Sequence, residues 1–170
     1  MKVELKVALK GDQSEAGAVT FPTLTVTVKT EALLLIETFS GTADLCLGNS
    51  SPPSHATQVL TVTVRQGWGC FQRAGLPGNP GGRAFQVRSP NSRIEFTFKQ
   101  PCTRLSFSKV SSPQVAAIAI YYDEQGVALN SLNVTGTSYT LDTFTFTAPA
   151  GKRIARIEVN ITGAHYEFCL

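Results

Sequence analysis

The chain has 170 residues, of which 42% are hydrophobic and 16% charged, and its formal net charge is +3. That is chain enough for a hydrophobic core without metal or disulfide staples, and the composition is that of a globule, not of a disordered or coiled-coil protein. The Lys and Arg residues are scattered along the sequence and build no track for a phosphate backbone, which argues against nucleic acid as a partner.

In chain order, Val3, Leu5, Val7 and Leu9 alternate with Lys2, Glu4, Lys6 and Lys10. This predicts a first strand with one wet face, and no apolar signal-peptide block. The expectation is a protein that stays inside a cell or one that begins after a removed leader. Residues 11–17 read as a polar turn and 19–28 as a strand, with Pro22 marking an edge or bulge. Residues 32–39 follow as a strand buried on both faces. Its run Ala32-Leu33-Leu34-Leu35-Ile36 is far short of the ~20 apolar residues of a membrane-spanning helix.

Residues 41–57 read as a loop holding Asp44, Cys46, Asn49 and His55. A strand is predicted over 59–64, then a second irregular segment over 67–83, where Gly75-Leu76-Pro77-Gly78-Asn79-Pro80-Gly81-Gly82 opposes regular structure. Thereafter alternation predicts strands over 84–88, 93–99, 103–109, 115–122, 127–134, 143–147, 153–161 and 165–170, with a hairpin turn at Asp123-Glu124-Gln125-Gly126. No segment of helical length carries a 3.6-residue period. The reading is one all-β domain over residues 1–170, an antiparallel β-sandwich with little helix.

Four cysteines, Cys46, Cys70, Cys102 and Cys169, form no CxxC pair, which argues against zinc or a thioredoxin-like site. They allow three pairings. A staple between Cys102 and Cys169 is one arrangement, and buried free thiols in a cytoplasmic protein are another. The triplets at Asn49, Asn133 and Asn160 match glycosylation sequons, which matter only in a eukaryotic secreted protein.

From Ile94-Glu95-Phe96-Thr97-Phe98 through Thr103-Arg104-Leu105-Ser106-Phe107, Ala117-Ile118-Ala119-Ile120-Tyr121-Tyr122, Phe144-Thr145-Phe146 and Ile154-Ala155-Arg156-Ile157-Glu158-Val159, the order of elements resembles galactose-binding-like jelly rolls. Such domains occur in carbohydrate-binding modules and bacterial surface proteins. The resemblance covers residues 82–170, with Ile36-Glu37-Thr38-Phe39-Ser40-Gly41 similar to an opening strand. It implies a jelly-roll sandwich and raises a structural calcium, for which Glu37 and Glu167 are the matching acids. The closing segment departs from the family's acidic tripeptide, and a hard cation wants several clustered oxygens.

For catalysis the chain offers His55 and His165 as bases, neither beside a nucleophile motif. Both read as ordinary loop or turn histidines. Paired acids would suit glycoside hydrolysis, but Asp123-Glu124 reads as a solvated turn. Glu95 and Glu158, among Arg93, Lys99, Arg153 and Arg156, read as cross-strand charge pairs on a wet face. No acid-base set can be named, so the expectation is no enzyme.

The strongest ligand candidate is Gln66-Gly67-Trp68-Gly69-Cys70-Phe71-Gln72-Arg73. A Trp between glycines can present a flat ring to a sugar, with Gln72, Arg73, Asn79 and Arg83 placed to bind hydroxyls. The opposing reading folds Trp68 and Phe71 inward as a plug for the sandwich. The expected function is a non-catalytic module binding a glycan or other surface ligand, with no cofactor apart from the calcium just raised, and with oligomers giving avidity. A structural or assembly component (a surface, capsid or toxin subunit) is the first alternative, and a small hydrolase the second.

Overall fold

A computed structural model of the chain describes residues 37, 39, 41–48, 52–73, 83–111, 115–135, 140–163 and 166–169. The chain divides into two units, Met1–Leu33 and Leu34–Leu170, and every described residue belongs to the second. The strands expected over 3–9 and 19–28, and all of 32–39 except Glu37 and Phe39, lie outside the described residues.

Among the described residues there are twelve strands and no helix. Six form sheet I, in the order β1 (Leu45–Gly48), β4 (Trp68–Arg73), β5 (Arg83–Val87), β12 (Tyr166–Cys169), β7 (Arg104–Ser111) and β10 (Asp142–Thr147). Six form sheet II, in the order β2 (Ser54–Ala56), β3 (Leu60–Gln66), β6 (Ser92–Cys102), β11 (Ile154–Ile161), β8 (Ala117–Tyr122) and β9 (Ala128–Asn133). All the pairings are antiparallel. From β5 on, the chain passes repeatedly between the sheets, the habit of a jelly-roll sandwich.

Period-two patterning explains how the sheets face one another. Sheet II turns Leu60, Val62 and Val64 of β3, Ile94 and Phe96 of β6, Ala117, Ala119 and Tyr121 of β8, and Ile157, Val159 and Ile161 of β11 into one core. Sheet I answers with Leu47, Phe71, Phe85, Val87 and Phe107. Each fully buried aliphatic or aromatic side chain contributes about 1.5–3 kcal/mol of transfer free energy. The Tyr121 hydroxyl enters this core at a cost: it has no hydrogen-bond partner among the described residues, and burial pushes its pKa up to about 12.

The segments expected to be loops, 41–57 and 67–83, are where the structure differs most. They contain β1, β2 and β4. The Gly/Pro-rich residues 75–82 made the whole segment read as irregular, yet β4 forms, with Gly69 at an inward position where packing demands a glycine. A Cβ on it would sit 2.8 Å from the Phe85 ring and 2.6 Å from the Gln86 carbonyl. Strand β1 lies directly against β4, and Cys46 opposite Cys70 forms a disulfide with a Cα–Cα separation of 4.0 Å. Closing a loop of sequence separation 24 stabilises by about 3 kcal/mol on the chain-entropy model. Cys102 is free, so the staple to Cys169 is not formed; among the described residues the free thiol is the half-buried Cys102, whose pKa burial pushes up. Strand β6 also runs past the expected break at Pro101, and a register shift against β11 accommodates the proline.

One residue, Gly67, separates β3 in sheet II from β4 in sheet I. Its φ is +80°, and a Cβ there would overlap the hydroxyls of Ser89 and Ser92. Around it, the Trp68 N–H donates to Ser89 Oγ at 2.8 Å, the two serine hydroxyls lie 2.8 Å apart, and Ser92 Oγ donates to the Ser89 carbonyl at 2.7 Å. Gly48 packs against the Gly67 carbonyl, leaving no room for a side chain on β1 either. Gly126 has a similar φ of +78° but open space around it. Gly126→Ala should therefore cost only the left-handed backbone penalty of about 1–2 kcal/mol. Gly67→Ala should add an overpacking cost of about 1–3 kcal/mol. Urea unfolding midpoints of the two variants check this; equal losses would show that the serine cradle yields freely.

Candidate functional site

Because Gly69 and Phe71 face the core, Trp68, Cys70 and Gln72 lie in the outward phase of β4. Trp68 is half-buried. Its backbone is fixed on both sides, the N–H by Ser89 Oγ and the carbonyl by the Arg88 N–H at 3.0 Å. On the β1 side its register partner is Gly48, so no side chain stands across from the indole there. Gln72 is half-buried on the same face, and its amide donates to Gln86 Oε1, Gln86 being the register partner of Cys70. Trp68 and Gln72 are four residues apart, about 13 Å along a strand, with the Cys46–Cys70 disulfide between them. The result is a rigid strip: an aromatic at one end, amides at the other.

The remaining candidates fall elsewhere. Phe71 is 0% exposed, with ring centroids 5.2 Å from Phe39 and 4.9 Å from Phe85, so it is a core residue and presents nothing to a ligand. Arg83 lies in the phase of Phe85, opposite that of Gln86, and is ion-paired with Asp44. Gln66 ends β3 on sheet II, in register with Arg93. Arg73 occupies the last position of β4, but its side chain lies outside the described residues, as does Asn79 altogether. His55, expected as a solvated loop histidine, is half-buried on β2 with its ring edge-on to Phe71 at 5.3 Å. His165 lies outside the described residues. Arg88 and Gln86 border the strip and carried no signal in the sequence, since only the pairing of β4 with β5 brings them there.

Glu37 is one of the two acids raised for calcium. Its Oε1 accepts from the Phe39 N–H at 2.7 Å and its Oε2 accepts from the Thr57 hydroxyl, which itself accepts from the Val59 and Leu60 N–H groups at 3.2 Å. Both oxygens are occupied in seating the start of β3. Glu167 falls on β12 between Gln86 and Val110, its side chain outside the described residues. No cluster of three or more His, Cys, Asp or Glu side chains forms among the described residues.

The outer face of sheet II carries the charge pairing expected of it, with partners that only the register reveals. Glu95 is 6% exposed and held by Arg65 and Arg156, each at 2.9 Å, while Thr97 Oγ1 donates to it at 3.2 Å. The Arg156 guanidinium in turn lies 3.9 Å above the Tyr122 ring. Burial pushes the Glu95 carboxyl up, but the hydrogen bonds and charges of the two arginines outweigh it and hold the group below the usual carboxylate range. Glu158 stands directly opposite Glu95, yet a general acid needs a raised pKa, and Glu95 has the reverse. Asp123 is likewise held low, by the Lys152 ammonium at 2.8 Å and then by the Val127 and Gln125 N–H groups that it caps.

A depressed folded pKa gives stability that is present above the unfolded value and lost as pH falls through the folded one. Thermal midpoints should therefore fall as pH drops below about 4.3, the unperturbed Glu value. Glu95→Gln should flatten that fall by removing one of the titrating groups. Parallel pH profiles for wild type and variant would contradict the assigned role of the Arg65–Glu95–Arg156 cluster.

No family model matches the sequence, and the search of curated proteins found no match. Solved structures do show similarity. One is the enzymatically active domain of tailspike protein 4 from bacteriophage CBA120, with 17% identity over 75% of this chain and 18% of that one, at a TM-score of 0.38. A second is an arabinose-bound α-L-arabinofuranosidase, with 15% identity over 69% of this chain and 22% of that one, at a TM-score of 0.43. The chain thus spans about a fifth of the length of these two proteins. A third is the low-affinity xylan-binding module CBM86 from Roseburia intestinalis, with 14% identity over 64% of this chain and 84% of that one, at a TM-score of 0.38.

Proposed function

We propose that the protein is a non-catalytic carbohydrate-binding module whose site is the outer strip of β4. The observation that carries this reading is Trp68: a half-buried indole on a strand whose backbone is held from both sides, with a glycine where a covering side chain would stand. A flat apolar ring suits the C–H face of a sugar, and the half-buried Gln72 amide, held on Gln86 Oε1, supplies a directional partner for hydroxyls. The spacing between the indole and Gln72, about 13 Å, fits more than one sugar unit, so the ligand is an oligosaccharide in this reading. Such a site works by stacking and hydrogen bonding, and its single-site affinity is weak unless copies act together.

Trp68 is the only tryptophan in the chain, so its fluorescence reports the site without interference. A glycan array followed by calorimetry on the best ligand should show binding by the wild type. Trp68→Ala should weaken it about tenfold or more, the loss of roughly 1.4 kcal/mol. Arg156→Gln, on the other sheet, should leave affinity unchanged. A wild type that binds no glycan sinks the reading, and equal affinities for wild type and Trp68→Ala would move the site off β4.

A further inference from the structure

The half-buried arginines among the described residues are Arg83, Arg88 and Arg156. Arg83 is ion-paired with Asp44 and Arg156 with Glu95. Arg88 differs: among the described residues its guanidinium meets no carboxylate and makes no hydrogen bond. A charge drawn partly out of water costs free energy unless an opposite charge or acceptors meet it. The place of Arg88 in the fold gives that cost a use. It stands one rung beyond the pair Gly69 and Val87, and its N–H donates to the Trp68 carbonyl at 3.0 Å. Val87 is 0% exposed and inward, so Arg88, like Gln86 before it, falls in the outward phase. Trp68 thus has Gly48 across from it on β1 and Arg88 across from it on the β5 side. Residues opposed in this way hold their Cβ atoms about 5 Å apart. The acid nearest in register on this face is Glu167, opposite Gln86, its side chain outside the described residues.

We propose that the glycan received by the β4 strip is acidic, and that Arg88 holds its anionic group while Trp68 stacks on the sugar ring that bears it. The inference rests on the reading of the strip as a carbohydrate site, and it names the class of sugar. A uronate carboxylate or a sulfate ester is a substituent of the ring itself. Adjacent rungs of the sheet therefore place an aromatic under the ring and a cation at the substituent. The planar fork of a guanidinium matches two oxygens of such an anion at once, which a lone ammonium does not. Gln72, farther along the strip, is left for the hydroxyls of a following sugar unit. A neutral ligand would leave the half-buried guanidinium without an anion and lose that contact.

An array of neutral, uronate-bearing and sulfated oligosaccharides, followed by titration of Trp68 fluorescence in solution, tests this. The wild type should bind acidic members, and whether these are uronates or sulfate esters identifies the anion. The carboxyl-reduced or desulfated counterpart of the best binder should bind about tenfold or more weakly, the size of a lost charge-assisted contact. Added sodium chloride should weaken the acidic ligand and leave its neutral counterpart unchanged. Arg88→Gln should bind the two alike. Binding confined to neutral glycans overturns the proposal, as does an Arg88→Gln variant that keeps the full preference for the acidic ligand. In either case binding that still requires Trp68 leaves the strip a carbohydrate site, whereas a wild type that binds no glycan removes both readings. Because the acidic ligand and its neutral counterpart are compared on the wild type, misfolding of a variant does not obscure the answer.

Discussion

The corner at Gly67 sets the phase of everything on β4. One residue must carry the chain from sheet II to sheet I, and it does so at a φ of +80° inside a cradle of two serine hydroxyls. With the corner in place, Gly69 and Phe71 fall inward and Trp68, Cys70 and Gln72 fall outward. A slip of one residue would exchange these sets, since strand side chains alternate strictly. Phe71 would leave the ring cluster it shares with Phe39 and Phe85, and Cys70 would leave its position opposite Cys46. Core, disulfide and half-buried indole thus depend on the same turn.

The strands of the C-terminal half were legible because alternation was clean there and turn residues punctuated it. Residues 93–99, 115–122 and 153–161 all lie within a residue or two of observed strands, apart from the extension of β6 through Pro101. Strands β1, β2 and β4 were not legible. Leu45–Gly48 and Ser54–Ala56 are too short to show a period, and Trp68–Arg73 presents glycine at an inward position that usually holds an apolar side chain. What makes that glycine necessary is the ring of Phe85, which lies on the next strand in space but beyond a Gly/Pro-rich segment in sequence. The site was half legible for the same reason. Trp68 and Gln72 lie two steps apart on one face, but whether Phe71 joined them depended on a strand assignment that composition opposed.

Electrostatics divides the two sheets. Sheet II holds its charges on the outer face, where Arg65 and Arg156 converge on Glu95 and Arg156 covers the Tyr122 ring. That aromatic is therefore already engaged by the protein itself. Sheet I places its buried ion pair, Lys109 with Asp142, on the inner face beside phenylalanine rings. Desolvation makes such a pair a weak source of stability.

The central claim is that the outer strip of β4 receives the ligand. Nitrogen-15 NMR of the labelled protein, titrated with a bound oligosaccharide, tests it most directly, because the single tryptophan gives one isolated indole N–H signal. The account predicts that this signal shifts on titration together with the side-chain amides of Gln72 and Gln86, while backbone signals of Arg65, Glu95 and Arg156 stay in place. Shifts gathered on the outer face of sheet II, with an unmoved indole, would contradict it.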